Sequence, residues 1–306
     1  MNLRPLRHAA VVAGILVAPL AWKAGPEAQA PAATVPIFEY DPTFPKPMRE
    51  NWAIGPIGGM AVDRQDHLYV VQRPGALASN ERFTGSGDTP PKADCCVPAP
   101  PVLEFDQGGT LIHSWGGPGQ GYDWPQTEHG VFVDAKDNVW LAGSGQNDSH
   151  LLKFTREGKF LQQFGKPGPN GGSADTRNLG QPANLTIDPV SNEIYVADGY
   201  RNRRVIVLDA DTFAFKRMWG AYGNKPDNTP LGAYNPDAPP AQQFRLPHNI
   251  AISRDGFVYV ADRPNNRIQV FRKDGTYVKE TFVSKRTLLQ GAASGFALST
   301  DPQQRW

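Results

Sequence analysis

The stretch HNIAISRDGFVYVAD, residues 248–262, decides the fold. Its first half reads as an alternating strand up to Ile252, a polar turn with Asp255 and Gly256 follows, and a second, β-rich strand runs from Phe257 to Asp262. Two such strands joined by a Gly-containing turn, with β-branched and aromatic arms, are hairpin chemistry. Three other stretches repeat it: GGMAVDRQDHLYVV (58–71), HGVFVDAKDNVWLA (129–142) and ANLTIDPVSNEIYVAD (183–198). A fifth start, SGFALSTDPQQRW, occupies residues 294–306.

Two further β-rich runs follow each hairpin: PVLEFD and LIHSWGG, HLLKF and KFLQQFG, RRVIVLD and AFKRMWG, RIQVF and TYVKETF. Four strands per unit, repeated, predict an all-β protein and specifically a β-propeller, because one blade cannot bury both its faces alone. No helical stripe appears in the mature chain. Counting units gives four complete blades plus the opening strand of a fifth over residues 52–306, behind an N-terminal extension of residues 31–51. Such an arrangement leaves sheet edges open. The expectation is therefore a chain truncated relative to a six-bladed ring, or an edge closed by something else, self-association included. Pro/Gly/Ser-rich segments at 72–101 and 220–240 read as long loops on a blade face, where binding residues commonly sit; solvated connectors are the plain alternative.

With 306 residues, a formal charge of +1 and 40% hydrophobic content, the chain can bury a full core and has no bulk charge to draw it to nucleic acid or to an anionic membrane. Residues 1–30 differ from the rest. Arg4 and Arg7 precede the apolar run HAAVVAGILVAPLAW, and GPEAQA ends in a small-residue cleavage pattern at Ala30. This reads as a secretory signal peptide, giving a periplasmic or secreted protein free of the membrane after cleavage, with an uncleaved anchor as the alternative. The only cysteines, Cys95 and Cys96, are adjacent; they supply no disulfide framework, and a vicinal disulfide, metal binding and an incidental loop role all stand.

Aligning the units on Val62, Val133, Ile187, Ile252 and Leu298 places Gly58, His129, Ala183, His248 and Ser294 at one repeat position, four residues earlier. Innermost strands line a propeller's axis, so His129 and His248 face it together. A third histidine in a sixth blade would set three imidazoles about 120° apart, suited to a catalytic zinc with an open position. A satisfied histidine near a strand end is the plain reading of each alone. At the end of the second strand, Arg73 and Arg263 share a repeat position, and Tyr200 stands one residue further on in the third unit. The two arginines can clamp a carboxylate by charge-assisted forks, or pair with blade carboxylates such as Asp198 and Asp262. Asp198, Asp262, Asn202, Arg204, Asn265 and Arg267 belong to the repeat pattern and are assigned to blade structure. His67, His113 and His150 have no matched partners, so surface or packing roles are expected of them. GxSxG, P-loop, HExxH and CxxC patterns are absent.

The pattern of strand, Asp, Asn-Arg and strand in VYVADRPNNRIQVF and IYVADGYRNRRVIVL resembles the NHL repeat. Four ordered stretches resemble one enzyme family within it, the peptidyl-α-hydroxyglycine α-amidating lyases: GMAVD to VQR with Arg73, EHGVFVD with His129, QPANLTIDPVSNEIYVADGYRNRR with Tyr200, and PHNIAIS to VADRPNNRIQVF with His248 and Arg263. The resemblance implies a zinc held by three histidines, a tyrosine base, and arginines holding the carboxylate of a substrate that splits into a peptide amide and glyoxylate. Carried over, His129 and His248 are zinc ligands, Tyr200 is the base, and Arg73 and Arg263 bind the anion and favour the tyrosinate. The third histidine and a calcium-binding aspartate of that family would fall beyond Trp306. Gly180 and Arg201 stand where animal members have a cysteine pair bracing the tyrosine loop. The implied partner is a small carboxylate-bearing or peptide substrate, with zinc and also calcium as implied cofactors. The competing class is a non-catalytic propeller that binds a protein, peptide or glycan through its long loops.

Overall fold

The computed structural model describes residues 36–48, 51–78, 81 and 96–305; the segment read as a signal peptide and Cys95 lie outside them. All regular structure in the described residues is β apart from single turns of 3₁₀ helix, and no helix there is long and apolar enough to cross a membrane. Four antiparallel sheets of four strands each form the blades. Blade 1 comprises β2 (Ile57–Val62), β3 (Leu68–Gln72), β5 (Val102–Phe105) and β6 (Leu111–Trp115). Blade 2 is β7 (Glu128–Val133), β8 (Val139–Gly143), β9 (His150–Phe154) and β10 (Phe160–Gly165). Blade 3 runs β11 (Pro182–Asp188), β12 (Glu193–Asp198), β13 (Arg204–Asp209) and β14 (Phe215–Trp219). Blade 4 is β15 (Pro247–Ile252), β16 (Val258–Asp262), β17 (Arg267–Phe271) and β18 (Tyr277–Phe282). A short parallel pair, β1 (Trp52–Ala53) with β4 (Val97–Pro98), flanks blade 1.

Alternation along the strands sends successive side chains to opposite blade faces, and each face meets a neighbouring blade. On β12, Ile194 and Val196 pack toward blade 2 with Trp140 and Leu151, while Tyr195 and Ala197 pack toward blade 4 with Val258 and Phe271. Tyr69, Val102, Leu141 and Phe154 fill the interface between blades 1 and 2. The other face of blade 1, with Leu103 and Phe105, is covered by Phe44, Met48 and Trp52 from the preceding segment and β1. Each large apolar side chain so buried contributes roughly 1.5–3 kcal/mol.

The repeat motif is also the blade's internal brace. Asp198 is fully buried and accepts from Arg204 Nε at 2.9 Å, Asn202 Nδ2 at 2.8 Å and the Gly180 amide at 2.7 Å. In blade 4, Asp262 accepts from Arg267 Nε at 3.0 Å, Asn265 Nδ2 at 2.7 Å and two backbone amides. These groups are saturated, in keeping with their assignment to structure. Cys96 is disulfide-bonded, which sets aside metal binding by a free thiolate.

The fifth start differs from expectation. Residues 294–301 form no strand, yet they lie along β15: Asn249 Nδ2 donates to the Phe296 carbonyl at 2.8 Å, and Arg254 Nη2 donates to that of Thr300 at 2.7 Å. The segment 220–240 is a loop without strands, as expected, and it leads to the end of blade 4 where β15 begins.

Candidate active site at the axial end of the first strands

Each first strand carries the same irregularity. Pairing with the second strand skips Gly58 in β2, Ala183 in β11 and His248 in β15, and in β7 it skips His129 together with Gly130. A β-bulge leaves one residue unpaired and re-aims its side chain. The bulge therefore falls on the column that holds the two histidines in every blade. Because the strands are antiparallel, the start of a first strand and the end of a second lie at one end of the blade. This collects Arg73 after β3, Tyr200 after β12 and Arg263 after β16 beside the histidines.

The innermost strands pack side by side, β2 on β7, β7 on β11 and β11 on β15. Gly130 makes this approach close: a Cβ there would lie 2.7 Å from the Ala183 carbonyl oxygen. At this spacing His129 Nδ1 lies 2.8 Å from the Ala183 carbonyl. His248 Nδ1 bonds the Ser294 carbonyl in the same way, so each imidazole meets the backbone of the aligned residue one unit on. Gly199 similarly admits the Pro247 carbonyl where any side chain would collide, seating the Tyr200 loop against β15. That loop is tied by the Tyr200 and Arg201 amides to the Gln181 and Gly180 carbonyls, at 3.3 and 2.9 Å, in the place of a cysteine brace.

Both Nδ1 atoms face carbonyl oxygens and so carry the hydrogen, which leaves both Nε2 atoms as lone-pair acceptors. They converge on one oxygen: Tyr200 Oη lies 2.8 Å from His129 Nε2 and 3.0 Å from His248 Nε2. The imidazole rings stand 5.0 Å apart, nearly perpendicular. A phenol has one hydrogen to donate, so one lone pair is left facing another. Burial, with help from His248 and the two arginines, drives the His129 pKa down to about 3, and His248 is lowered chiefly by burial. Neither imidazole resolves the conflict by protonating near neutrality. Two neutral imidazole nitrogens aimed at one hydroxyl oxygen are donors of the kind a cation takes.

Arg73 and Arg263 complete the cluster. Neither forms an ion pair among the described residues, so pairing with Asp198 or Asp262 does not occur; those carboxylates are taken by Arg204 and Arg267. Arg73 Nε donates to the Glu128 carbonyl at 2.7 Å, and Arg263 Nε is buried without an acceptor among the described residues. Burial raises the Tyr200 pKa above the usual tyrosine value, although Arg263 and Arg73 pull it down. The two guanidiniums thus act in the direction that favours the phenolate, and desolvation outweighs them in this cluster.

A second cluster lies away from the axis. Asp63, His67 and Glu104 bring ligand-type atoms within 4.8 Å of one another. Arg156 from the β9–β10 turn occupies it, with Nη2 at 2.5 Å from Glu104 Oε1 and 2.9 Å from His67 Nδ1; His113 Nδ1 lies 2.7 Å from Glu104 Oε2. His67 and His113 thus belong to an ion network joining blades 1 and 2, whose members sit at different repeat positions and so form no matched column in the sequence. His150 packs in the interior, its Nε2 on the Asp123 carbonyl at 2.7 Å.

The NHL repeat family model matches residues 244–271, which are β15 to β17 with their approach. NHL repeat-containing protein 3 of Mus musculus is 30% identical over 78% of this chain and 58% of its own length. A probable peptidyl-alpha-hydroxyglycine alpha-amidating lyase of Caenorhabditis elegans is 23% identical over 77% of this chain and 61% of its own. The chain thus spans somewhat over half the length of these two relatives. Among solved structures, virginiamycin B lyase from Staphylococcus aureus aligns with a TM-score of 0.43 at 13% identity, covering 76% of this chain and 57% of that one, too loosely to bear on the site. The repeat match, the four sheets and these relatives make the chain an NHL-repeat β-propeller, similar to both NHL repeat-containing protein 3 and the probable amidating lyase.

Proposed function

We propose that the chain is an exported lyase acting on a peptidyl- or acyl-α-hydroxyglycine, releasing an amide and glyoxylate. One observation carries the reading: two neutral imidazole nitrogens converge on the Tyr200 hydroxyl, beside two arginines with no carboxylate partner among the described residues. His129 and His248 would hold a zinc ion through Nε2, with their Nδ1 hydrogens fixed by backbone carbonyls, an orientation that raises ligand basicity. When bound, zinc supplies Lewis-acid polarisation of oxygen.

The chain's own groups account for the rest. Arg73 and Arg263 bind the substrate carboxylate, which gives the buried Arg263 Nε its missing acceptor. Tyr200 acts as the phenolate, its Oη taking the proton of the substrate hydroxyl. The O–H electron pair closes to a carbonyl, the C–N bond breaks, and the departing amide nitrogen takes the proton that Tyr200 Oη received, so glyoxylate and amide balance the substrate and the phenolate is regenerated. The two guanidiniums lower the cost of negative charge on Tyr200 Oη against the opposing effect of burial.

The rival reading is a propeller that binds a protein, peptide or glycan without catalysis. Its support is that two imidazoles converge among the described residues, where catalytic zinc sites usually take three protein ligands. Glyoxylate release from benzoyl-α-hydroxyglycine, followed in the zinc-loaded wild type and in Tyr200→Phe, separates the two. Turnover in the wild type that is lost in the variant supports the lyase; no turnover in either supports the rival. Export forms part of the proposal, and a mature N-terminus following Ala30 would support it.

A further inference from the structure

The three clefts between neighbouring blades can be compared position by position. The wall residue opposite the second-strand aromatic is Glu104 across from Tyr69, Lys153 across from Trp140 and Val207 across from Tyr195. The plug comes from the turn of the following blade. The turns after β9, β13 and β17 close through matching backbone bonds, from Gly158 to Thr155, Phe213 to Asp209 and Gly275 to Arg272. The residue after the first of these in each turn is Arg156, Ala210 and Lys273 respectively.

In the cleft between blades 1 and 2, Arg156 reaches in and neutralises Glu104. Between blades 3 and 4, Lys273 Nζ reaches Asp188 Oδ2 at 2.6 Å. Between blades 2 and 3 both features change: the wall charge is positive and the plug is alanine. Asp211, one residue further on, is exposed and turns instead to Lys136 Nζ at 3.4 Å and Asn192 Nδ2 at 2.9 Å. A cavity of about 340 Å³ remains, with Val62, Phe132, Val133, Ile187, Pro189 and Ala210 as its apolar wall; Lys153 lines it, as do Arg64 and Lys136 and the carboxylates of Asp63, Asp134 and Asp211. Lys153 is only 7% exposed; its ammonium lies 4.7 Å from the Trp140 ring centroid and has no hydrogen-bond or ion-pair partner among the described residues. Asp134, also at the cavity, is already engaged by Trp140 Nε1 at 2.9 Å, Asn138 and backbone amides.

A cation set in a largely enclosed wall with no anion of its own among the described residues invites one, and the apolar part of that wall favours an apolar body. We propose that the cleft between blades 2 and 3 is a binding site for a small monocarboxylate with an apolar body, its carboxylate on Lys153 and its hydrocarbon against Phe132 and Ile187. The site lies at the opposite end of the first strands from His129, about 13 Å away along β7. It is independent of the lyase reading.

Calorimetric titration of the full chain with hexanoate, and with hexanamide as the uncharged control, tests this. Hexanoate should saturate one site and hexanamide bind at least tenfold more weakly. Lys153→Met and Ala210→Glu, the second supplying an internal carboxylate, should each weaken hexanoate at least tenfold, while Lys153→Arg retains it. Arg263→Ala, which alters the other anion-receptive region, should leave the affinity unchanged. Thermal melts check that each variant is folded; if Lys153→Met is not, Ala210→Glu decides. Absence of saturable binding, equal affinity for hexanamide, binding that survives both cleft variants, or binding lost in Arg263→Ala would overturn the proposal.

Discussion

Two clusters in this molecule gather histidines and charged side chains, and they differ in whether their charges are answered. At the periphery, the fully buried Glu104 sits amid His67, His113 and Asp63, and Arg156 supplies the cation that the cluster needs. At the axis, His129 and His248 aim lone pairs at one hydroxyl, and the nearby arginines have no carboxylate partner among the described residues. The peripheral cluster holds more metal-type ligands, yet it is closed. Ligand count alone would choose the wrong one, because a site is marked by donors and acceptors left open by the fold.

The contrast breaks most sharply under mutation of the axial groups. Tyr200→Phe should cut glyoxylate release by about 100-fold or more, the usual weight of a positioned proton-transfer group, with the melting temperature unchanged. If turnover persists, Tyr200 is not the base. Arg156→Met should act in the opposite way, costing about 2 kcal/mol by denaturant titration because the buried Glu104 loses its guanidinium and keeps only the imidazoles of His67 and His113, while activity per folded molecule is kept. A silent Arg156→Met would mean that the network is ornamental and the comparison weaker.

Acid provides a finer test. Arg217 hydrogen bonds hold the Glu193 carboxyl down to about 2, and burial opposes them. For Glu104 burial pushes upward, but Arg156 and His113 prevail and its pKa is lowered. A carboxyl whose folded pKa is depressed contributes stability above its unfolded value and loses it as pH falls toward the folded one. Stability should therefore decline from about pH 4.5 toward about 2, and Glu193→Gln should flatten that limb in urea titrations made at successive pH values. An unchanged slope in the variant would show that the pair is not coupled to folding. The smallest expected effect is at the open cleft: Ala210→Glu should raise the melting temperature by a few degrees at most, since it answers Lys153 but fills an apolar cavity. A fall in melting temperature would show that the new carboxylate does not reach Lys153.

Much of the architecture was legible because its signal is repeated. Four copies of one alternation pattern predict four blades, and the strands RIQVF and TYVKETF appear as β17 and β18. The column containing His129 and His248 was readable from the same alignment. Its physical cause was not: the bulge at Gly58, His129, Ala183 and His248 is a property of pairing register, which no single strand encodes. Nor did spacing reveal that Asp198 and Asp262 are saturated and so unavailable to Arg73 and Arg263. The Glu104 network joins residues 63 to 156 across two blades, and its histidines fall outside any matched column. Ala210 in the place of Arg156 and Lys273 was hidden by one extra residue in its turn.

Zinc stoichiometry of the full chain, measured beside His248→Ala and His67→Ala, tests the central contrast most directly. The account predicts one zinc per chain in the wild type, lost in His248→Ala and kept in His67→Ala. Zinc kept in His248→Ala and lost in His67→Ala, or no zinc bound at all, would contradict it.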